Sequence, residues 1–222
     1  MLSDLHADLG ALEAAIADAT RKGADRIVIA GDVVGDGPQP AEVVALLRSS
    51  AFPTVMGNVD EKVLQTARFS SPQQDALLEK RKKADLVRTA RALSRRDLAW
   101  LAALPSSLTL RLGGAKLLLV HGSPAGNTDY VFPSITPAAL AAKLGDARPD
   151  VLACGHSHIP FARRIKGVTV VNAGSIGRPI DGDERGSYAL VEVVAGAPPR
   201  GRIVRFRSAA PDLQRCAERG RG

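Results

Sequence analysis

Five short apolar segments of this chain each lead, directly or one small residue later, to a residue that can bind a metal ion or transfer a proton. Apolar runs of this length, rich in β-branched residues, are typical of strands that are buried on both faces. Ligands of open α/β sheets bind at the carboxyl ends of such strands. The pattern therefore predicts an α/β fold with all five motifs on one rim of one sheet. The segments are Met1–Leu2, Ile27–Ala30, Thr54–Met56, Leu117–Val120 and Val151–Cys154, which lead to Asp4, Asp32, Asn58, His121 and His156.

The four histidines of the chain all lie in these motifs. Histidine is the commonest protein ligand for transition metals. Asp4-Leu-His6 and His156-Ser-His158 each direct two side chains to the same side of an extended chain, because residues two apart share a face. Asp32, between two glycine-bearing turns, is suited to bridging two cations through its carboxylate oxygens. We interpret this set as the metal site of an enzyme.

Each residue of the set also has an ordinary structural explanation when it is taken alone. A single histidine can be a core or surface residue whose ring nitrogens are hydrogen-bonded, and Asp4 or Asp32 can cap a helix or occupy a turn. Gly57-Asn58 is also a common turn pair. The ordered combination is harder to explain in this way, because the histidines would have to reach strand ends by coincidence. The candidate ligands are Asp4, His6, Asp32, Asn58, His121, His156 and His158.

The composition indicates an ordinary globular protein. Hydrophobic residues make up 45% and charged residues 24% of the chain, which excludes collagen-like and fully disordered proteins. No apolar run approaches the ~18 residues of a membrane span and no secretory signal is evident, so we expect a cytoplasmic protein without a membrane partner. The two cysteines are too few for a disulfide framework. We expect one domain over residues 1–207 and a flexible basic tail over residues 208–222.

The net charge of +7 favours anionic partners, including phosphate compounds and nucleic acid. The basic residues are spread along the chain, and no aromatic residues are interleaved with them as stacking platforms. This distribution is typical of a solvated surface, so nucleic acid is only a secondary expectation. The sequence does not indicate an oligomeric state.

Helical spacing of apolar residues predicts helices over residues 7–21, 40–48, 61–67, 74–93, 94–104 and 137–144. After His158, segments 161–165, 168–171, 188–194 and 203–207 are separated by glycine and proline turns, which predicts a second sheet made of hairpins. Two stacked sheets with helices outside is the resulting architecture. The first strand is short, because only Met1, Leu2 and Ser3 precede Asp4. We therefore expect that the natural start lies upstream of Met1.

The ordered motifs Asp-x-His, Gly-Asp, Gly-Asn-x-Asp, His-Gly and Gly-His-x-His resemble those of the calcineurin-like metallophosphoesterase superfamily. Within it, the chain is most similar to the small bacterial and archaeal phosphodiesterases. The resemblance runs from Met1 to about Phe206 and includes the turns at residues 31–38 and 172–179. It implies a two-sheet β-sandwich flanked by helices, with a dinuclear metal site at the carboxyl ends of the strands. It also implies hydrolysis of a phosphoester, above all a phosphodiester, by a hydroxide that bridges two metal ions.

The resemblance implies a role for each candidate ligand. One metal would be bound by Asp4, His6 and His158, the other by Asn58, His121 and His156, and both by Asp32. Mixed nitrogen and oxygen ligands suit divalent transition metals; manganese is the first expectation, with Fe, Zn, Ni or Co as alternatives. The residues expected to take part in catalysis are Asp32, Asn58 and Asp60. The substrate would be a phosphoester small molecule or a nucleotide, with nucleic acid as the lesser alternative.

Val59 departs from the family pattern, because many members have histidine after the asparagine. That histidine can protonate the leaving oxygen, whereas valine cannot, so Asp60 loses its usual partner and is left to hold the loop. We therefore expect better turnover of diesters and activated esters than of esters with poor leaving groups. The departure also keeps two alternatives open. One is a catalytically weak or silent scaffold, as the retromer scaffold subunit of this superfamily implies, and the other is a serine/threonine phosphatase-like monoesterase.

Overall fold

The computed structural model describes residues 1–69 and 81–208. Its helices are α1 (Leu9–Arg21), α2 (Pro40–Ser50), α3 (Asn58–Phe69), α4 (Arg81–Ala92), α5 (Arg95–Ala102) and α6 (Pro137–Leu144). Its strands are β1 (Ser107–Leu112), β2 (Ala115–Val120), β3 (Val151–Cys154), β4 (Phe161–Ile165), β5 (Val168–Asn172), β6 (Gly186–Glu192) and β7 (Arg200–Phe206). Helix α1 begins where Asp8 accepts a hydrogen bond from the Ala11 amide at 2.8 Å, and Ser94 with Asp97 forms a reciprocal capping box at α5.

One sheet has five strands in the order β1-β2-β3-β5-β4. Strands β2, β3 and β5 run parallel, while β1 and β4 pair antiparallel at the two edges. Every residue of β3 is buried, as its continuous apolar pattern predicts for a central parallel strand. His121 directly follows β2 and Gly155-His156 directly follows β3, so both motifs lie at the same edge of this sheet.

A second layer is built from the β6–β7 hairpin and three short pieces of parallel chain. Leu2 bridges Ile29, and Ile29 bridges Thr54. The backbones of Met1 and Ala189 exchange hydrogen bonds of 2.8 and 3.0 Å, which join these pieces to β6. The first three polar motifs of the chain follow these three pieces and therefore belong to the second layer.

Three apolar clusters hold the layers together. The cluster between the two sheets contains Val28 and Val55 from the second layer and Leu119 and Ala153 from the first. Helices α1 to α5 pack with the outer face of the second layer in another cluster. Leu140 of α6 packs in a third cluster on the outer face of the five-stranded sheet. The order is helices, sheet, sheet and helix, which confirms the predicted two-sheet sandwich flanked by helices.

The distribution of strands between the sheets differs from the prediction. Strands β4 and β5 extend the five-stranded sheet, because β5 pairs with β3 from Val151 opposite Thr169 to Cys154 opposite Asn172. Only β6 and β7 of the strands after His158 join the second layer. The polar motifs consequently lie on the edges of two sheets, and the prediction of one rim of one sheet was wrong. A buried apolar run looks the same in either sheet, so its sequence does not specify its partner.

Most of the predicted helices and strands are confirmed to within a few residues, and α6 has the predicted bounds. Strand β1 was absent from the prediction, because its half-buried alternating pattern carries no motif. The predicted helix over residues 74–93 is described only from Arg81 onward, and the predicted tail lies outside the described residues beyond Ser208. Over residues 1–69 and 81–208, no helix has the length and apolar character needed to cross a membrane.

Candidate metal centre

A first group of ligand atoms gathers where the edges of the two layers meet. One ligand atom from each of four buried residues lies within 4.8 Å of the others, and these residues are Asp4, His6, Asp32 and His158. His158 Nε2 is 3.1 Å from Asp4 Oδ1 and 3.3 Å from His6 Nε2. Asp4 Oδ2 accepts hydrogen bonds from the Ser3 hydroxyl at 2.5 Å and the His156 amide at 3.0 Å. Within residues 1–69 and 81–208 no group donates a hydrogen bond to the buried Oδ1, so it is the oxygen that is available to a cation.

A second group of ligand atoms faces the other oxygen of Asp32. His121 Nε2 lies 2.9 Å from Asn58 Oδ1 and 3.4 Å from Asp32 Oδ1. The His156 ring packs against the His121 ring with centroids 5.0 Å apart, and the buried His156 Nε2 has no hydrogen-bond partner in the part of the chain that the structure describes. Asp32 Oδ2 is directed toward the first group, 3.9 Å from His6 Nε2. The carboxylate therefore stands between the two groups, with one oxygen toward each.

Backbone carbonyls orient two of the histidine rings. His121 Nδ1 donates to the Ala30 carbonyl at 2.7 Å, and His158 Nδ1 donates to the Arg178 carbonyl at 2.6 Å. Because Nδ1 carries the proton in both rings, Nε2 is left as the ligand atom, and such outer contacts commonly fix metal-binding histidines. Among the described residues His6 lacks this support, since none of them forms a hydrogen bond with its buried Nδ1.

Left-handed backbone conformations are concentrated at the candidate ligands. Residues with a side chain adopt positive φ infrequently, and strained backbone persists only where the surrounding structure enforces it. A Cβ added at Gly57 would lie 2.1 Å from the Asp32 amide nitrogen, so only glycine allows the two loops to approach so closely. This concentration of strain supports a functional role for the residues that bear it. They are Asp4 (φ 55°), His6 (47°), Asp32 (48°), His156 (63°) and His158 (55°).

Burial disfavours the charged form of every group in this cluster, but at His121 and His158 the nearby carboxylates outweigh burial and raise the pKa. Burial raises the pKa of Asp32 to about 6, with further repulsion from Asp4, although His121 opposes the shift. Burial and the Asp32 carboxylate raise the pKa of Asp60 to about 7. Burial also lowers the pKa of both His6 and His156 to about 4, so both imidazoles are neutral at pH 7. Imidazole nitrogens, carboxylates and an amide oxygen, with three buried atoms that lack hydrogen-bond partners among the described residues, form a donor set that fits divalent transition metals.

Asp60 connects the two loops that carry Asp32 and Asn58. Its fully buried carboxylate accepts a hydrogen bond from the Val34 amide at 3.0 Å through Oδ1 and another from the Gly57 amide at 2.9 Å through Oδ2. The Val34 amide lies two residues after Asp32 in one loop, and the Gly57 amide lies directly before Asn58 in the other. The arrangement fits the predicted loop-holding role of this residue.

Val59 lies at the start of α3, between Asn58 and Asp60. Its amide donates to Asp32 Oδ1 at 2.8 Å. Its side chain packs against the apolar cluster that helices α1 to α5 form with the second layer. It also lies beside Gly35, where an added Cβ would be 2.7 Å from Val59 Cγ1. The side chain at this position is therefore engaged in packing and offers no proton.

Two contributors to the site were absent from the sequence-based prediction. The Ser3 hydroxyl holds Asp4 Oδ2, as described above. Asp36 Oδ2 lies 3.7 Å from the unpartnered His6 Nδ1 and is itself paired with the Arg178 guanidinium at 2.6 Å. Their only sequence signal is proximity to a motif, because a serine or an aspartate in a turn has many ordinary explanations.

Comparison with known proteins identifies the family of this chain. The profile of the calcineurin-like phosphoesterase superfamily domain matches residues 1–196. The chain belongs to this superfamily. The relationship confirms the resemblance seen in the motifs, and the Asp and His cluster of this chain is a candidate site for the divalent metals that the superfamily binds.

Individual relatives of this chain match most of its length. The phosphodiesterase YfcE of Escherichia coli is 27% identical over 203 residues, covering 86% of this chain and 84% of that protein. The crystal structure of a metallophosphoesterase from Sphaerobacter thermophilus has 27% identity and a TM-score of 0.75, covering 93% of this chain and 86% of that one. A hypothetical protein from Pyrococcus horikoshii OT3 has 23% identity and a TM-score of 0.81, covering 98% and 90%, which shows a shared fold.

Proposed function

We propose that this calcineurin-like phosphoesterase is a phosphodiesterase that depends on two divalent transition metal ions. The position of the Asp32 carboxylate carries the proposal, because its two oxygens face two separate groups of ligand atoms. Paired divalent ions supply polarisation of phosphoryl oxygens and a lowered pKa of water. The relationship to YfcE, which is named a phosphodiesterase, supports a diester substrate. The two proposed ligand sets are Asp4, His6 and His158, and Asn58, His121 and His156, with Asp32 shared.

The protein residues supply position, charge and exclusion of water. Asp4 is fully buried and Asp32 is 2% exposed, so their charges act where water screens little. The carbonyls of Ala30 and Arg178 hold two imidazoles with Nε2 directed inward. Asp60 fixes the spacing of the two ligand loops through its backbone contacts. We propose positioning, rather than proton transfer, as its contribution.

Val59 determines which esters suit the site. Its packed side chain cannot protonate a leaving oxygen, and general-acid help is worth about 10²- to 10⁴-fold in rate. A leaving group of low pKa departs without that help, whereas an alkoxide depends on it. Activated diesters are therefore the favoured substrates, and alkyl monoesters the disfavoured ones.

Hydrolysis of bis-p-nitrophenyl phosphate with added Mn²⁺, beside an alkyl phosphate monoester, tests this function. We expect the diester to be hydrolysed at least about 10²-fold faster. Zn, Fe, Ni and Co are tested in parallel, and the blank is Asp32→Asn, which should lose both hydrolysis and bound metal. Equal rates on the two esters would contradict the role given to Val59. Hydrolysis that persists in the blank would contradict the role given to Asp32.

Metal analysis separates an enzyme from a silent scaffold of the same fold. Equilibrium dialysis should find two Mn²⁺ ions per wild-type chain if the proposed ligand sets are correct. No bound metal and no hydrolysis with any of the ions would reject the phosphodiesterase and favour a scaffold. Hydrolysis confined to phosphoserine-type monoesters would instead favour a phosphatase.

A further inference from the structure

Two stacked aromatic side chains stand beside the candidate metal centre. Tyr130 stacks on the His156 ring with centroids 4.4 Å apart and an interplanar angle of 25°. Phe132 stacks on Tyr130 at 5.2 Å and 9°. Four large hydrophobic side chains are exposed in the part of the chain that the structure describes, and two of them are aromatic, Tyr130 at 47% and Phe132 at 40%. Exposed aromatic surface next to a ligand site is typical of a binding role.

The segment that carries these rings is anchored by its other residues. Asp129 Oδ1 accepts a hydrogen bond from the Lys143 ammonium at 2.6 Å, and the Ser123 hydroxyl donates to the same carboxylate. Val131 is fully buried in the cluster that α6 covers. Anchored residues therefore alternate with the two exposed rings. Rings that are fixed before binding lose little conformational entropy when a ligand stacks on them.

We infer that the outer face of Phe132, with Tyr130 stacked behind it, forms a subsite for a flat aromatic group, such as a nucleobase, carried by the phosphoester substrate. The inference rests on the proposed function, because the phosphoryl group must bind beside His156 for the aromatic group to reach these rings. Stacking on an aromatic side chain is tolerant of base identity, since every base has a π-face. The subsite therefore selects nucleotides as a class, and a sugar phosphate without a base is held by its phosphoryl group alone.

Shielding of the His156 ring from water by the two aromatic rings would explain only part of this arrangement. The Tyr130 ring already covers the His156 ring, and Phe132 lies one ring farther out. Shielding at that distance does not require an aromatic side chain. A substrate subsite explains both the second ring and the exposure of the pair.

The test compares adenosine 5′-monophosphate with ribose 5-phosphate in equilibrium binding to the manganese-loaded protein. We expect the wild-type chain to bind the nucleotide roughly 5- to 150-fold more tightly, the range that stacking of one base provides. In Phe132→Ala and in Tyr130→Ala the ratio of the two Kd values should fall toward one. Tyr130→Phe should keep the ratio, because it keeps the ring. Val194→Ala removes another exposed apolar side chain, in the β6–β7 turn, and is the matched control.

The thermal midpoint and manganese content of every variant are measured beside the two Kd values. A loss of folding or metal would lower both affinities together, whereas loss of the subsite lowers only that for the nucleotide. Equal affinities for the two ligands in the wild-type chain would overturn the subsite, even if the protein hydrolyses diesters. An unchanged ratio in a folded Tyr130→Ala/Phe132→Ala double variant would also overturn it. A base preference without any hydrolysis would keep the subsite and reject the phosphodiesterase.

Discussion

Replacing Asp60 with alanine should destabilise the fold and weaken metal binding together. The substitution leaves the amides of Val34 and Gly57 buried without the acceptors that now lie 3.0 and 2.9 Å away. One unsatisfied buried donor costs about 1–3 kcal/mol, so two should lower the free energy of unfolding by about 2–6 kcal/mol. In a protein of this size, 1 kcal/mol shifts Tm by roughly 2–4 °C. We therefore expect Tm to fall by at least about 4 °C.

Thermal unfolding of the metal-free proteins, followed by circular dichroism, measures this loss. Asp60→Asn keeps one acceptor oxygen and should lose less than Asp60→Ala. Asp146→Ala, at an exposed site, should stay within about 0.5 kcal/mol of the wild type. Manganese titration of the same proteins should show weaker binding only for the Asp60 variants. A fall in Tm below about 2 °C, together with unchanged manganese affinity, would refute the assignment of Asp60 as the link between the ligand loops.

Substitutions at two further positions, Val59 and Asp18, give additional tests. Val59→His should raise hydrolysis of alkyl esters by about 10²-fold or more if the new imidazole protonates the leaving oxygen, and Val59→Ala, which should show no such gain, is the control. Asp18→Ala should lower the free energy of unfolding by about 1–3 kcal/mol, because it leaves the hydroxyl of the fully buried Tyr188 without its acceptor at 2.7 Å. Chemical denaturation should show a smaller loss when the same substitution is made in a Tyr188→Phe background. Contacts with Lys22 and Tyr188 lower the pKa of Asp18 in the folded protein. The ionised side chain therefore stabilises the fold fully above about pH 4, and this stabilisation is lost as the pH falls through the folded pKa. Asp18→Asn should make this loss of stability at low pH shallower.

The location of the site could be predicted from the sequence because it depends on local pattern. A buried strand ends where its apolar run ends, and the residue that follows must lie at the edge of a sheet. This reasoning placed Asp4, Asp32 and His121 without knowledge of strand order. It would have held for any arrangement of the strands that brings their carboxyl ends together.

The contacts that complete the site depend on the tertiary fold and could not be predicted. The parallel partner of β5 is β3, yet an equally apolar run could have paired in the other sheet. The approach of Asp36 to His6 joins two turns of different loops, and neither residue type at that position signals the contact. The left-handed φ values of the ligands could not be predicted from the sequence either, because the surrounding packing imposes them.

The division of the ligands between two layers has a consequence for how the protein is made. The candidate ligands extend from residue 4 to residue 158, and neither layer holds both halves of the set. During synthesis, the complete site can form only after β3 and the following turn have left the ribosome and packed against the amino-terminal segments. Each ion that binds only the folded chain would add about 2.7 kcal/mol of stability at a hundred times its Kd. Metal supply in the cell would then govern how much of this protein survives as folded molecules, as well as how fast each one works.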